Sequence, residues 1–141
     1  MVYIVAMPEE ANLVDPGSNV IVTGVGGLNI IKSLIDLPRE TEIYNIGYAG
    51  SNTVPIGTRC RIGRVCAYHP NSEFEEKEFL LDGDTTCYTS GDFVLSSDID
   101  EPCVFDMELA YIMALGFKNV VSEKIVSDCL NINQFEKLTG E

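Results

Sequence analysis

Apolar residues in this 141-residue chain come in two rhythms. Short runs rich in β-branched residues stand at 2–6, 19–23, 42–46, 60–68 and 119–126, and each predicts a strand, the first of them buried. Helical spacing shows instead in Leu28, Ile31, Leu34 and Ile35, which mark one face of a helix over 28–37 closed by Pro38. Residues 79–81 and 85–90 are shorter strand candidates on either side of the turn signal Asp82-Gly83-Asp84. Over 104–117 an apolar strand end, begun at Cys103, gives way to an apolar helix. Glycine and proline punctuate the rest. Met7-Pro8 ends the first run, Gly24-Val25-Gly26-Gly27 precedes the first helix, and Gly47-Tyr48-Ala49-Gly50-Ser51 follows the third run. Pro55-Ile56-Gly57-Thr58 makes a turn, Gly91-Asp92 breaks a strand, and Ser127-Asp128 ends the last one. Residues 69–78 are polar and acidic and predict an exposed loop or hairpin tip, while 135–141 can supply only a short helix. Strand and helix alternate, so the pattern predicts one α/β domain over residues 1–141 with a parallel or mixed sheet. Glycine-rich loops then fall at strand ends, where ligands of such sheets lie.

Composition narrows the partner. Hydrophobic content of 45% against 22% charged residues is the balance of a globular chain. A net charge of −13 argues against nucleic acid, whose phosphates are held by clustered Lys and Arg, and leaves a small molecule or another subunit. Cys60, Cys66, Cys87, Cys103 and Cys129 are odd in number and scattered, so neither a disulfide framework nor a Cys-x-x-Cys site is predicted. With His69 the lone histidine, no metal site and no cofactor are expected. No apolar run is long enough to span a membrane, and residues 3–6 lack the basic flank of a signal peptide, which makes the cytoplasm the expected location.

Candidate chemistry lies in the acids. Carboxylates at the junction of an apolar strand and an apolar helix are costly unless something binds them. Asp106 there reads as an N-cap accepting from the helix's first N–H groups, whereas Glu108 exceeds what one cap requires and reads as a ligand contact. Glu10, Asp92 and Asp128 also stand at strand ends. Each alone reads as a cap or solvated loop residue; together they can converge on one edge of the sheet. The loop at 24–27 departs from the dinucleotide fingerprint, because Asn29 stands where the third glycine belongs, and reads as a tight strand-to-helix turn.

Six short motifs, spread along most of the chain, carry a resemblance. Ala6-Met7-Pro8-Glu9-Glu10, Thr23-Gly24-Val25-Gly26, Asn45-Ile46-Gly47-Tyr48-Ala49-Gly50, Ser90-Gly91-Asp92-Phe93, Phe105-Asp106-Met107-Glu108 and Ser127-Asp128 resemble ordered motifs of one superfamily. It is that of the purine nucleoside phosphorylases and methylthioadenosine/S-adenosylhomocysteine nucleosidases. The resemblance implies a central mixed sheet flanked by helices, cleavage of an N-glycosidic bond, and a homodimer or larger homo-oligomer. It further implies that Glu10 is the general base that activates water, that Asp128 protonates the departing purine, and that Glu108 binds the ribose hydroxyls. Phe93 would lie near the base, with Met107, Gly50, Tyr48 and Lys124 as further substrate contacts.

The chemistry suits those residue types, since the sugar gains oxocarbenium character while the base gains negative charge. Water is the expected nucleophile, because a phosphorylase must hold an anion beside the ribose and the first loop here is acidic. Arg59, Arg61 and Arg64 are the only clustered cations for that task. The expectation is a purine nucleosidase, with a nucleoside-binding module lacking turnover and a phosphate-dependent phosphorylase as alternatives. Four departures from the family's pattern stand out. Tyr48 replaces a small residue, Lys124 replaces an arginine whose planar fork it cannot reproduce, and Asn131 replaces a second acid. The stretches at 68–87 and 92–103 are abbreviated, and little follows Asp128.

Overall fold

A computed structural model of the chain describes residues 1–68 and 78–131. The expectations for 69–77 and 135–141 therefore lie outside the described residues, while Glu78, expected in a loop, opens a strand. In chain order the strands are β1 (Val2–Val5), β2 (Val20–Val22), β3 (Glu42–Gly50), β4 (Arg59–Ala67), β5 (Glu78–Leu80), β6 (Thr85–Thr89), β7 (Cys103–Asp106) and β8 (Asn119–Asp128). Helix α1 is Gly27–Leu34 and α2 is Leu109–Ala114, and Pro8–Leu13 forms a 3-10 turn.

All eight strands join one mixed sheet, as the resemblance implies, but helices flank it sparsely. β1 lies between β2 and β3, parallel to both. β3 runs parallel to β8 along its whole length, and β8 turns to pair antiparallel with β4. β4 carries β5 on one side and β6 on the other, β6 pairs β7, and β7 returns to β3 through the single pair Gly50 and Phe105. Five strands thus close a ring, and the ends of β3, β7 and β8 meet at one place. The turn at 82–84 is not a hairpin, because β5 and β6 both use β4 as their neighbour.

Burial separates two apolar faces that sequence spacing merges. α1 buries Ile30 and Leu34, while Leu28, Ile31 and Ile35, expected on one inward face, are exposed. Inward, Ile4, Leu34, Ile62, Val65, Leu109 and Ile112 are fully buried, each contributing about 1.5–3 kcal/mol to stability. α2 has six residues, far fewer than the apolar stretch suggests, because the strand takes 103–106 and Gly116 leaves the helical path at φ 89°. Conversely, β3 runs four residues past its expected end, so that Gly47 and Gly50 are strand residues rather than loop. Among the described residues no helix is long and apolar enough to cross a membrane.

Candidate active site

A cavity of about 310 Å³ opens where β3, β7 and β8 end. Four of the five strand-end acids line it: Glu10, Asp106, Glu108 and Asp128. Such a volume suits a small organic ligand. The fifth acid, Asp92, is exposed and borders only a recess of about 30 Å³ beside the cavity.

Glu10 reaches the cavity from the 3-10 turn after β1. Its Oε1 accepts the N–H groups of Ala6 and Met7, both at 2.9 Å, and its Oε2 accepts that of Tyr48 at 2.8 Å. A Cβ at Gly47 would lie 2.5 Å from Oε2, so glycine is what leaves room for the carboxylate against β3. Burial raises the Glu10 pKa above the ordinary carboxylate value, against the pull of those N–H donors and of Lys124. A buried, fixed and more basic carboxylate is suited to taking a proton from water.

Asp106 and Glu108 divide the work at the β7–α2 junction. Asp106, expected at the N-cap, lies two residues before that position, which Glu108 holds; its Oδ2 accepts the Leu109 N–H at 2.8 Å and also pairs with the Lys124 ammonium at 3.1 Å. Its Oδ1 accepts the Thr89 hydroxyl at 2.5 Å, and that hydroxyl oxygen in turn accepts the Ala110 N–H. Glu108 instead crosses to the glycine loop, where its Oε2 accepts the Gly26 N–H at 2.8 Å. Gly24 and Gly26 both adopt φ 92°, so the loop can present that N–H as only glycine readily does. The position at the start of α1 that could have drawn a phosphate therefore holds a carboxylate of the protein itself. Burial and the adjacent Asp106 push the Glu108 pKa up to about 7, opposed by Lys124 and the Gly26 N–H.

Asp128 closes the far end of β8. Its Oδ2 accepts the Ser127 hydroxyl at 2.8 Å and its Oδ1 accepts the N–H groups of Leu130 and Asn131. These donors orient the carboxylate, and Leu130 takes φ 64° to supply one of them. A Cβ on Gly50 would sit 2.8 Å from Asp128 Oδ1, which explains that glycine's place in the lining. Tyr48, Phe93, Phe105 and Met107 supply the apolar walls. Behind Phe105 the Tyr88 ring stacks at 5.7 Å and that of Tyr68 meets it edge-on at 5.2 Å.

One further sequence expectation changes. Lys124, expected to touch substrate, is 1% exposed, pairs with Asp106 and is not among the lining residues, because β8 points it into the protein. Arg59, Arg61 and Arg64 are also absent from the lining; they pair with Glu123, Asp82 and Glu78 on β4's exposed side. Sequence reasoning misses the roles of Gly26 and Gly47, the backbone positions that bind a carboxylate or make room for one. Their only signal is glycine at a strand end.

Neither a protein-family model nor a curated protein sequence matches the chain. Its fold is matched by solved 5′-methylthioadenosine/S-adenosylhomocysteine nucleosidases. Against that of Chlamydia trachomatis the TM-score is 0.79 at 17% identity, covering 98% of this chain and 88% of the other. The enzyme of Neisseria meningitidis, in complex with methylthio-immucillin-A, scores 0.76 at 17% identity over 96% and 90%. That of Streptococcus pneumoniae, with 8-aminoadenine, scores 0.75 at 18% over 98% and 91%. At such identities the likeness speaks to architecture, and the chain has the fold of the methylthioadenosine/S-adenosylhomocysteine nucleosidases.

Proposed function

We propose that this chain hydrolyses the N-glycosidic bond of a purine nucleoside of the methylthioadenosine or S-adenosylhomocysteine type, with water as nucleophile. The observation that carries the reading is that Glu10, Glu108 and Asp128, far apart in sequence, line one cavity. In this scheme Glu108 accepts hydrogen bonds from the ribose hydroxyls. As the C1′–N9 bond breaks, its electron pair goes to the purine, which takes a proton from Asp128. Water adds to C1′ and gives its proton to Glu10. Among the described residues no basic side chain lines the cavity, which favours water over phosphate. The direct test is incubation with methylthioadenosine, S-adenosylhomocysteine, adenosine and inosine. Free base is expected from at least one, without added phosphate; release from none at high protein concentration overturns the proposal.

Tyr48 in the cavity wall and the inward turn of Lys124 favour a second reading, a nucleoside-binding module without turnover. Calorimetric binding without base release would select it. Both readings share a prediction at Glu108. Glu108→Gln removes the anionic acceptor and is expected to weaken nucleoside binding about 10–100-fold, the worth of a hydrogen bond to a charged group. Because ionised Glu108 is the binding form and its pKa lies at about 7, affinity is expected to be flat above pH 8. Below pH 7 it should fall roughly tenfold per unit. Unchanged affinity in the variant, or a flat profile, removes Glu108 from the sugar site.

The homo-oligomer belongs to the same proposal. Leu28, 85% exposed, stands with Ile31 and, at the helix end, Ile35 on the outward side of α1, an apolar surface that a second copy would cover. Light scattering is expected to give a dimer or larger mass that Leu28→Glu reduces to one chain. A monomeric parent protein would refute it.

A further inference from the structure

We propose that Lys124 is a positioning residue, the internal counter-ion that holds the cavity's carboxylates in their working charge state without meeting the ligand. The inference rests on the functional reading above for its consequence, but its core concerns the ligand-free protein.

The geometry is that of a buried hub. Lys124 is 1% exposed, on a strand of the closed ring, paired in register with Gly47 of β3 on one side and Cys60 of β4 on the other. Gly47 is the residue against which Glu10 lies, so β8 carries the lysine past the bed of the proposed base's carboxylate. Its ammonium then reaches Asp106, 3.1 Å away at the end of β7. Asp106 is fixed from three directions: by the Leu109 N–H, by the Thr89 hydroxyl and by the ammonium. Glu108 follows two residues later, and its backbone carbonyl receives the first N–H bonds of α2. Movement or neutralisation of Asp106 is therefore felt at Glu108 through the chain and through the field.

Charge makes the arrangement consequential. Among the described residues four carboxylates line the cavity and no basic side chain does, so Lys124 is the cation nearest at hand among the groups acting on Glu108. Those groups are Asp106 from β7, Lys124 from β8, Glu10 from the 3-10 turn and the Gly26 N–H from the loop before α1. Cys87 of β6 also faces this cluster, its thiol pushed well above the ordinary value by burial and by Asp106. Burial opposes the lysine's own charge, yet the carboxylates, Asp106 above all, outweigh it and hold the ammonium above the ordinary lysine range. An ammonium so held does not act as a proton donor at neutral pH. Its role is to keep Glu10 and Glu108 from both turning neutral in a dry site, where unpaired anions are costly.

The discriminating experiment uses two substitutions of opposite sign in the full chain. Lys124→Met removes the cation, and Asp106→Asn removes the anion that offsets it. Carbon-13 NMR of the Glu108 side-chain carboxyl, recorded without ligand from pH 5 to 9, is expected to show its midpoint rise by about half a unit or more in Lys124→Met. In Asp106→Asn the midpoint is expected to fall by a similar amount, and in Lys124→Arg to stay within a few tenths. A merely structural lysine would change stability without moving these midpoints, so unmoved midpoints overturn the proposal. If Lys124→Met does not fold, by circular dichroism, Lys124→Gln, which keeps a hydrogen-bond donor toward Asp106 but no charge, takes its place: a raised Glu108 midpoint supports the role and an unmoved one refutes it. Methylthioadenosine affinity measured over the same range separates the two levels. Its acid limb is expected to follow the Glu108 midpoint in each variant. Shifted midpoints in a protein that binds none of the four nucleosides would refute the functional reading while leaving the role of Lys124 standing.

Discussion

Glu10→Gln is expected to slow base release by about 10²–10⁴-fold, the usual contribution of a general base. The amide cannot take a proton from water at neutral pH, whereas the carboxylate, made more basic by burial, can. A second, smaller effect follows from its hydrogen bonds. If the amide oxygen keeps the Ala6 and Met7 N–H groups, the amide nitrogen faces the Tyr48 N–H, and two donors meet. One buried N–H left without an acceptor costs about 1–3 kcal/mol, which denaturant unfolding would register. Nucleoside affinity should change little by comparison, since Glu108 and Asp128 remain in place. Initial rates within about twofold of the parent protein would exclude Glu10 from the chemistry.

The second large effect is expected from a single methyl group. In Gly47→Ala the new Cβ would stand 2.5 Å from Glu10 Oε2 and 3.2 Å from its Cδ. β3 is held by β8 at this point, where Gly47 pairs with Lys124, while the pairing with β1 has ended at Asn45 and Glu10 takes that side, so the carboxylate is the part that moves. It then loses its N–H donors, and the base shifts relative to any water at C1′. Misplacement by about 1 Å costs on the order of 10²-fold in rate. The prediction is thus a steep loss of turnover with nucleoside binding largely kept, measured by rate assays alongside calorimetry. Full activity would mean that Glu10 need not sit where the structure places it. Glu10→Gln and Gly47→Ala combined should cost little more than Glu10→Gln alone, because both act on one group.

Much of the architecture is legible in the order of residues. The β-branched runs at 2–6, 19–23 and 119–126 correspond to β1, β2 and β8, because β-branched side chains fit the pleated surface of a sheet. Short-range signals fail where two faces of one element are both apolar. α1 carries Ile30 and Leu34 inward and Leu28, Ile31 and Ile35 outward, and periodicity alone has no means of ranking those faces. The glycines at 47 and 50 mimic a loop for a related reason. Glycine weakens a strand locally, and only the carboxylates of Glu10 and Asp128 packed against it explain its presence there.

The candidate site divides in the same way. Residue types draw attention to Glu10, Asp92, Asp106, Glu108 and Asp128, since carboxylates beside apolar strand ends are costly unless they are used, and the family resemblance picks Glu10, Glu108 and Asp128 from among them. Asp92 meets the same local criterion and stays on the surface, and Lys124, expected at a substrate, turns inward to Asp106. Such outcomes depend on pairings between residues 18 to 82 positions apart, such as Lys124 with Asp106 and Gly26 with Glu108. Local chemistry determines which groups are worth placing near one another. Closure of the strand ring determines which of them share a cavity, because desolvation and Coulombic contact are set by distance in space and not by distance along the chain.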